Sequence, residues 1–136
     1  MDNLRIGQGI DFHRLEPGLE LWLGGINVPS EKGPVAHSDG DVLLHAICDA
    51  LLGAAGLKDI GYYFPDTDPV FRNIDSTICL ERPKIKDYVQ EMKNTISSII
   101  ETHPEKISIK ATTTERMGFI GQEEGIAAFA VVLLKS

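Results

Sequence analysis

Nine consecutive apolar residues, Ile126 to Leu134, constrain this chain more than any other feature. A membrane-crossing helix needs about 20 such residues, so the run is too short for one. It is long enough for a strand buried inside a sheet. Every position is apolar, so both faces of that strand require cover, more than the single buried face of a simple layered sheet demands. The expectation is a buried strand with more apolar surface than one sheet face requires. The sequence of 136 residues is read as one domain with one core.

The remaining pattern supplies the other layers. Leu4–Phe12 alternates, with Leu4, Ile6, Gln8, Ile10 and Phe12 on one side and Arg5, Gly7, Gly9, Asp11 and His13 on the other, which predicts a strand with a mostly apolar face. Leu19–Leu23 and Ile26–Val28 flank Gly24-Gly25 and predict a hairpin or bent strand. Val42–Ala55 predicts a helix that stops at Gly56, with Ser38 or Asp39 as its N-cap. Its core side holds Leu43, Ala46, Ile47 and Ala50. Asp59–Pro69 reads as a loop, Thr77–Leu80 as a short strand and Gly121–Gly125 as a turn. Between Lys86 and Thr102 the residues Tyr88, Val89, Met92, Ile96, Ile99 and Ile100 recur at helical spacing. Ile107–Thr112 alternates as a strand. Interleaved strands and helices without repeats place the chain in the α/β class (α+β layered), a small mixed sheet with helices packed on one face.

Charge narrows the partners. Thirteen Lys and Arg against twenty Asp and Glu give a net charge of −7 with no basic run, which argues against nucleic acid. Small phosphorylated ligands remain open, because a helix N-terminus or a metal binds phosphate against the global charge. Two cysteines, Cys48 and Cys79, make no disulfide framework, and no secretory or membrane segment is visible, so a cytoplasmic setting is expected.

Five stretches carry candidate chemistry. Asp11 and His13 are two apart on a strand and project from one face. His45 lies on the Val42–Ala55 helix with Asp41 four residues before and Asp49 four after, a spacing that puts the three on one side. Two histidines and a carboxylate form a recurrent catalytic zinc set with a fourth position open; a surface Asp-x-His beside an ordinary helix histidine is the alternative. His37-Ser38, ahead of the helix, offers an anion site or a plain cap. Phe64-Pro65-Asp66-Thr67-Asp68 reads as a turn that also offers ligands for hydroxyls or a cation. Thr112-Thr113-Thr114-Glu115 ends a strand, where hydroxyls beside a carboxylate suit phosphate oxygens and Mg²⁺, although threonine is common in strands for its own sake. Lys84 is a further phosphate contact or a solvated lysine, and Cys48 reads as packing.

In order along the chain, Gly9-Ile10-Asp11-Phe12-His13, Ala36-His37-Ser38-Asp39-Gly40-Asp41, Leu44-His45, Asp49–Ala55, Asp59-Ile60-Gly61, Phe64–Asp68, Pro83-Lys84, Lys110–Glu115, Gly118-Phe119 and Glu124-Gly125-Ile126 resemble the 2-C-methyl-D-erythritol 2,4-cyclodiphosphate synthase family. The resemblance implies a homotrimer with active sites between subunits. It implies a cytidine diphosphate ester of methylerythritol 2-phosphate as substrate, whose 2-phosphate attacks the β-phosphorus and releases CMP. It assigns zinc, or another divalent transition metal, to Asp11, His13 and His45. Glu115 would hold Mg²⁺ or Mn²⁺ with the diphosphate, and His37 and Thr113 would stabilise the transferring phosphoryl. Substrate contacts would come from Asp11, His13, His37, Ser38, Asp59, Ile60, Gly61, Phe64, Pro65, Asp66, Thr67, Asp68, Leu80, Pro83, Lys84, Ile85, Lys86, Ala111, Thr112, Thr113, Thr114, Glu115 and Phe119.

Two departures from the family pattern stand out. Gln122 occupies a position where many members carry a phosphate-contacting arginine, so one cation is lost. A helix and loop expected after Asn73–Ser76, roughly two dozen residues, are missing, and the flanking segments run together at Asp75-Ser76. The rival readings are a metal-dependent phosphohydrolase using the same ligands and a non-catalytic trimer that binds isoprenoid phosphates.

Overall fold

In a computed structural model, the structure describes residues 3–56 and 70–135. The strands are β1 (Leu4–Pro17), β2 (Leu21–Leu23), β3 (Ile26–Val28), β4 (Lys32–Pro34), β5 (Val70–Cys79), β6 (Ile107–Thr112) and β7 (Gly125–Lys135). The helices are α1 (Val42–Ala55), α2 (Val89–Ile99) and the single turn α3 (Gly118–Gly121). One sheet runs in the order β4-β1-β7-β5-β6, and β2-β3 form a separate hairpin. Only β5 and β6 pair parallel; the other contacts in the main sheet are antiparallel. The parallel pair is joined through α2, as a parallel crossover requires.

The apolar run becomes β7, held between β1 and β5. Ile126, Ala128, Ala130 and Val132 face the helices and are buried. Beside them on β1, in register, lie His13, Asp11, Gly9 and Gly7. Adjacent partners share a face, so the glycine side of β1 is the core side. A methyl group at Gly9 would run into the Ala46 carbonyl, and one at Gly7 into the Ala50 carbonyl. α1 therefore lies directly on the backbone of β1, an approach only glycine permits.

The apolar side of β1 is the open one: Ile6 is 70% and Phe12 53% exposed. With Leu4, Ile10, Phe129 and Val131 they form an uncovered apolar patch on the outer face of the sheet. On β5 and β6 the same outer face turns polar, with Lys110 paired to Asp75 at 3.0 Å.

Several boundaries differ from expectation. β5 begins at Val70 and runs unbroken through Asp75-Ser76, not from Thr77. Its inward positions, Ile74, Ser76 and Ile78, are all buried, and the Ser76 hydroxyl is satisfied by the Ser108 carbonyl at 3.1 Å. A polar residue at an inward position hid the alternation. α2 ends at Ile99, and its first expected turn is 3-10 at Lys86–Tyr88. The turn at 121–125 is preceded by the helical turn α3. The loop expected at Asp59–Pro69 lies outside the described residues. α1 keeps its predicted span, with Gly56 closing it in a left-handed conformation at φ 69°.

Candidate metal centre and substrate loop

Beyond Gly9 the inward positions of β1 are Asp11 and His13, and α1 sets His45 opposite them. Asp11 Oδ2 lies 3.1 Å from His13 Nδ1 and 3.2 Å from His45 Nδ1. The two imidazole rings have centroids 5.6 Å apart. One donor atom from each residue falls within 4.8 Å of the others. His13 Nδ1 is buried and, despite its short distance to Asp11, has no aligned hydrogen-bond partner. A buried, unpaired ring nitrogen is costly in a structure held by hydrogen bonds alone, and it is what a metal ligand looks like without its metal. The donor set of two imidazoles and one carboxylate matches a transition metal, and His45, 45% exposed at its side chain, leaves the centre open on one side.

Asp41 does not join this cluster. It is the N-cap of α1, in place of the expected Ser38 or Asp39, and it is buried. Its Oδ1 accepts from Leu44 N–H at 3.0 Å and Gly24 N–H at 3.0 Å, and its Oδ2 from Gly25 N–H at 2.8 Å. Burial pushes its carboxyl above the ordinary value, against the pull of these three N–H groups. One side chain thus ties the hairpin to the helix that carries His45. Asp49 is exposed on α1 as His45 is, so of the three residues expected on one side only Asp41, the buried N-cap, departs. His37 and Ser38 are exposed on the connector before α1, several residues short of its first turn. Cys48 is exposed on α1, not packed in the core as expected, and desolvation, Asp49 and Asp41 push its thiol up, away from a nucleophile's range.

The second predicted region assembles at the carboxyl ends of the parallel strands. Cys79 registers with Thr112, and Leu80 N–H donates to the Thr112 carbonyl at 3.0 Å, so the Leu80–Lys86 and Ala111–Glu115 segments lie side by side. The Arg82-Pro83 peptide is cis. Leu80 and Ile85 are buried, while Lys84, Lys86, Ala111, Thr112 and Glu115 are exposed and Pro83, Thr113 and Thr114 half-buried. Past β6 the chain turns through Glu115 (φ 54°) and Arg116 (φ 62°), two consecutive left-handed residues that cost about 1–3 kcal/mol each unless their surroundings enforce them. The Thr114 hydroxyl donates to the Met117 carbonyl at 2.8 Å. The Thr113 hydroxyl accepts from Glu115 N–H at 3.4 Å and keeps its proton for another acceptor.

Glu81 is the residue that sequence reasoning missed. Its Oε1 accepts from Thr114 N–H at 3.0 Å and Arg116 N–H at 3.2 Å. Partners 33 and 35 positions away leave no local signal. Glu115 is not a member of the Asp11–His13–His45 group. Asp59, Ile60, Gly61 and Phe64–Asp68 lie outside the described residues.

The YgbB family matches residues 4–80 and again 70–135. The chain belongs to the YgbB family. A Bacteroides thetaiotaomicron relative named 2-C-methyl-D-erythritol 2,4-cyclodiphosphate synthase is 48% identical over 155 aligned positions, covering 97% of this chain and 98% of the relative. One of the same name from Lysinibacillus sphaericus is 48% identical over 153 positions, covering 96% and 97%. Among solved structures, a Plasmodium falciparum IspF in complex with CDP superposes with a TM-score of 0.86 at 32% identity, covering 97% of this chain and 96% of that one. The bifunctional IspDF of Campylobacter jejuni gives a TM-score of 0.89 at 37% identity, with 99% of this chain covered and 43% of that one. The mixed sheet with its helices on one face is therefore the YgbB fold, and the family inferred from the ordered motifs is the family found.

Within this YgbB chain, Gln122 takes a structural part: its Nε2 donates to the Arg116 carbonyl at 3.0 Å. Phe119 packs against Phe12 with ring centroids 6.1 Å apart, and Phe12 in turn meets Phe129 edge-on at 6.2 Å. This places Phe119 in the outer-face aromatic cluster. No helix among the described residues is long and apolar enough to cross a membrane.

Proposed function

We propose that this chain closes the cyclic diphosphate of methylerythritol. A phosphate oxygen of the substrate's 2-phosphate forms a bond to the β-phosphorus, the bond from that phosphorus to the CMP oxygen breaks, and CMP leaves. The observation that carries this reading is the convergence of Asp11, His13 and His45 around a buried, unpaired His13 Nδ1, in a chain 48% identical to relatives named for this activity.

Asp11, His13 and His45 hold a divalent transition metal, zinc by donor type, which when bound supplies Lewis acidity toward a phosphoryl oxygen. Glu115 offers one carboxylate that would hold a magnesium or manganese ion, which would supply positive charge toward the diphosphate. Thr113, with its hydroxyl proton unspent, donates to the transferring phosphoryl, and exposed His37 supplies a second donor. Backbone groups of the adjoining Leu80–Lys86 and Ala111–Glu115 segments read the cytidine; relatives solved with CDP support a cytidine nucleotide as ligand. Asp59–Gly61 and Phe64–Asp68 contact the methylerythritol portion.

The active assembly is a homotrimer with sites between subunits. The uncovered apolar patch of β1 and β7 supports it, as does the separation of Glu115 from the metal cluster. The chain acts as one domain in the cytoplasm. The relatives' 155 aligned positions against 136 residues, and the two family matches that share residues 70–80, support a helix and loop missing at Asp75-Ser76.

Phosphorus NMR of the cytidylated substrate tests the reading. Cyclic diphosphate with equimolar CMP is expected; linear phosphates would make the chain a phosphohydrolase, and unchanged substrate a binding module. His45→Ala should lose the metal and about 1000-fold in turnover while keeping its fold, because several kcal/mol of charge stabilisation goes with the metal. Full turnover by metal-free His45→Ala would overturn the metal assignment.

A further inference from the structure

We propose that Glu81 and Gln122 are positioning residues, a two-sided clamp that fixes the Thr113–Glu115 segment for the diphosphate and its magnesium ion. The inference rests on the reading of Thr113 and Glu115 given above.

The clamp is visible in where the loop's polar groups go. β6 ends at Thr112, so the N–H groups of Thr114 and Arg116 lie beyond its ladder. Both are taken by Glu81, and by the same oxygen: Oε1 receives Thr114 N–H at 3.0 Å and Arg116 N–H at 3.2 Å, while the Thr114 hydroxyl spends its proton on the Met117 carbonyl at 2.8 Å. The two N–H groups bracket Glu115, whose own N–H turns back to Thr113 Oγ1 at 3.4 Å. From the other side Gln122 Nε2 donates to the Arg116 carbonyl at 3.0 Å. The Arg116 residue is thus held at its N–H by one side chain and at its carbonyl by another. Glu115 and Arg116 are both left-handed, so without this grip the backbone would relax toward an ordinary conformation and carry the Glu115 carboxylate and the Thr113 hydroxyl with it. Glu81 itself stands at the carboxyl end of β5, anchored by the β5–β6 pairing, and Gln122 by the turn after α3.

One prediction separates this role from a role for charge. All the contacts go to one oxygen, so the amide oxygen of glutamine reproduces them without the negative charge. Glu81→Met keeps the stem and removes the acceptor; Glu81→Gln keeps the acceptor. CDP is the probe, titrated calorimetrically with and without Mg²⁺, beside zinc content, turnover, and hydrogen exchange at the Thr114 and Arg116 amides. In Glu81→Met we expect turnover lower by about 100-fold. The gain in CDP affinity from Mg²⁺ should shrink about tenfold. Exchange at both amides should accelerate, with zinc unchanged. Glu81→Gln should return all three to wild type. Wild-type turnover and Mg²⁺-linked CDP affinity in folded Glu81→Met would overturn the proposal, as would a Glu81→Gln variant as impaired as Glu81→Met. If Glu81→Met does not fold, Gln122→Met takes its place: a loss in the same direction is expected, and unchanged Mg²⁺-linked affinity overturns the clamp. A wild-type protein whose CDP affinity ignores Mg²⁺ would instead remove the magnesium role of Glu115, and the exchange rates would still decide whether Glu81 holds the loop.

Discussion

Asp11 and His13 sit on a strand whose two preceding inward residues are glycine, with a helix pressed against the backbone there. Thr113 and Glu115 sit on a turn past the end of a strand, tied down by Glu81 and Gln122. Both regions hold residues assigned to phosphate chemistry, yet one is set by shape and the other by hydrogen bonds. A site set by shape fails when volume is added, because a close-packed interface has nowhere to put a methyl group. A site set by hydrogen bonds fails when an acceptor is removed, since donors left unpaired lose the reason to stay in place. The candidate metal centre needs the first kind of rigidity, as its three donors converge from two separate elements. In the role proposed for it, the loop needs only to present one carboxylate and one hydroxyl to a ligand that brings its own oxygens.

The sharpest way to break this contrast is Gly9→Ala. Its methyl group would meet the Ala46 carbonyl, so α1 must lift from β1 and take His45 away from Asp11. Overpacking of this kind costs about 2–3 kcal/mol. Thermal unfolding should fall accordingly and metal content should drop, while amide exchange at Thr114 and Arg116 stays as it was. Wild-type stability and full metal occupancy in Gly9→Ala would show that the glycines do not set the centre.

Asp41→Asn comes next, because it tests the hydrogen-bonded strut beneath the shape-set site. Both carboxylate oxygens accept backbone N–H groups, so one of them would be replaced by a donor facing a donor. The expected loss is about 1–2 kcal/mol, measured by denaturant unfolding. It should also alter the pH profile. Burial raises the Asp41 carboxyl above 3.8, so just above that value the folded state keeps a proton that the unfolded state has released. Stability from this group therefore falls as pH rises through the window and is flat above it. Asn should abolish that slope.

These two regions were unequally legible. The Val42–Ala55 helix and its inward Leu43, Ala46, Ile47 and Ala50 could be read from periodicity, because packing imposes a repeat. The same logic put Asp11 and His13 on one face. It did not say which face of β1 is buried: alternation marks two sides, and the apolar one is open because glycine, not leucine or isoleucine, makes the intimate contact with α1. Asp41 looked like a partner of His45 by helical spacing, but an N-cap lies outside the helix, and its side chain turns back to the first turn. The loop's anchors were not legible at all. Glu81 meets residues more than thirty positions away, and Gln122, defined in the sequence only as a missing arginine, acts through its amide on a backbone carbonyl.

The smallest expected effect is the acid response of Glu81, and it sharpens the contrast because its sign opposes that of Asp41. The Arg116 N–H foremost, then the Thr114 N–H and the nearby Lys84 charge, hold the Glu81 carboxyl below 4.5. A carboxylate held down in the folded state adds stability above its unfolded pKa, and that stability is lost as pH falls through the folded value. Acidification should thus weaken the loop's contribution while it favours the protonated, buried Asp41. Glu81 is only half-buried, so solvent screens it and the effect is modest. Unfolding free energies followed downward through 4.5 for wild type, Glu81→Gln and Asp41→Asn separate the two, since every contribution other than that of the altered carboxylate is common to the proteins compared and cancels in the differences. The advantage of wild type over Glu81→Gln should shrink on acidification, and its advantage over Asp41→Asn should grow. If both differences moved in the same direction, the two carboxylates would not be held by opposite physics, one against burial and the other by the donors of a loop at the surface.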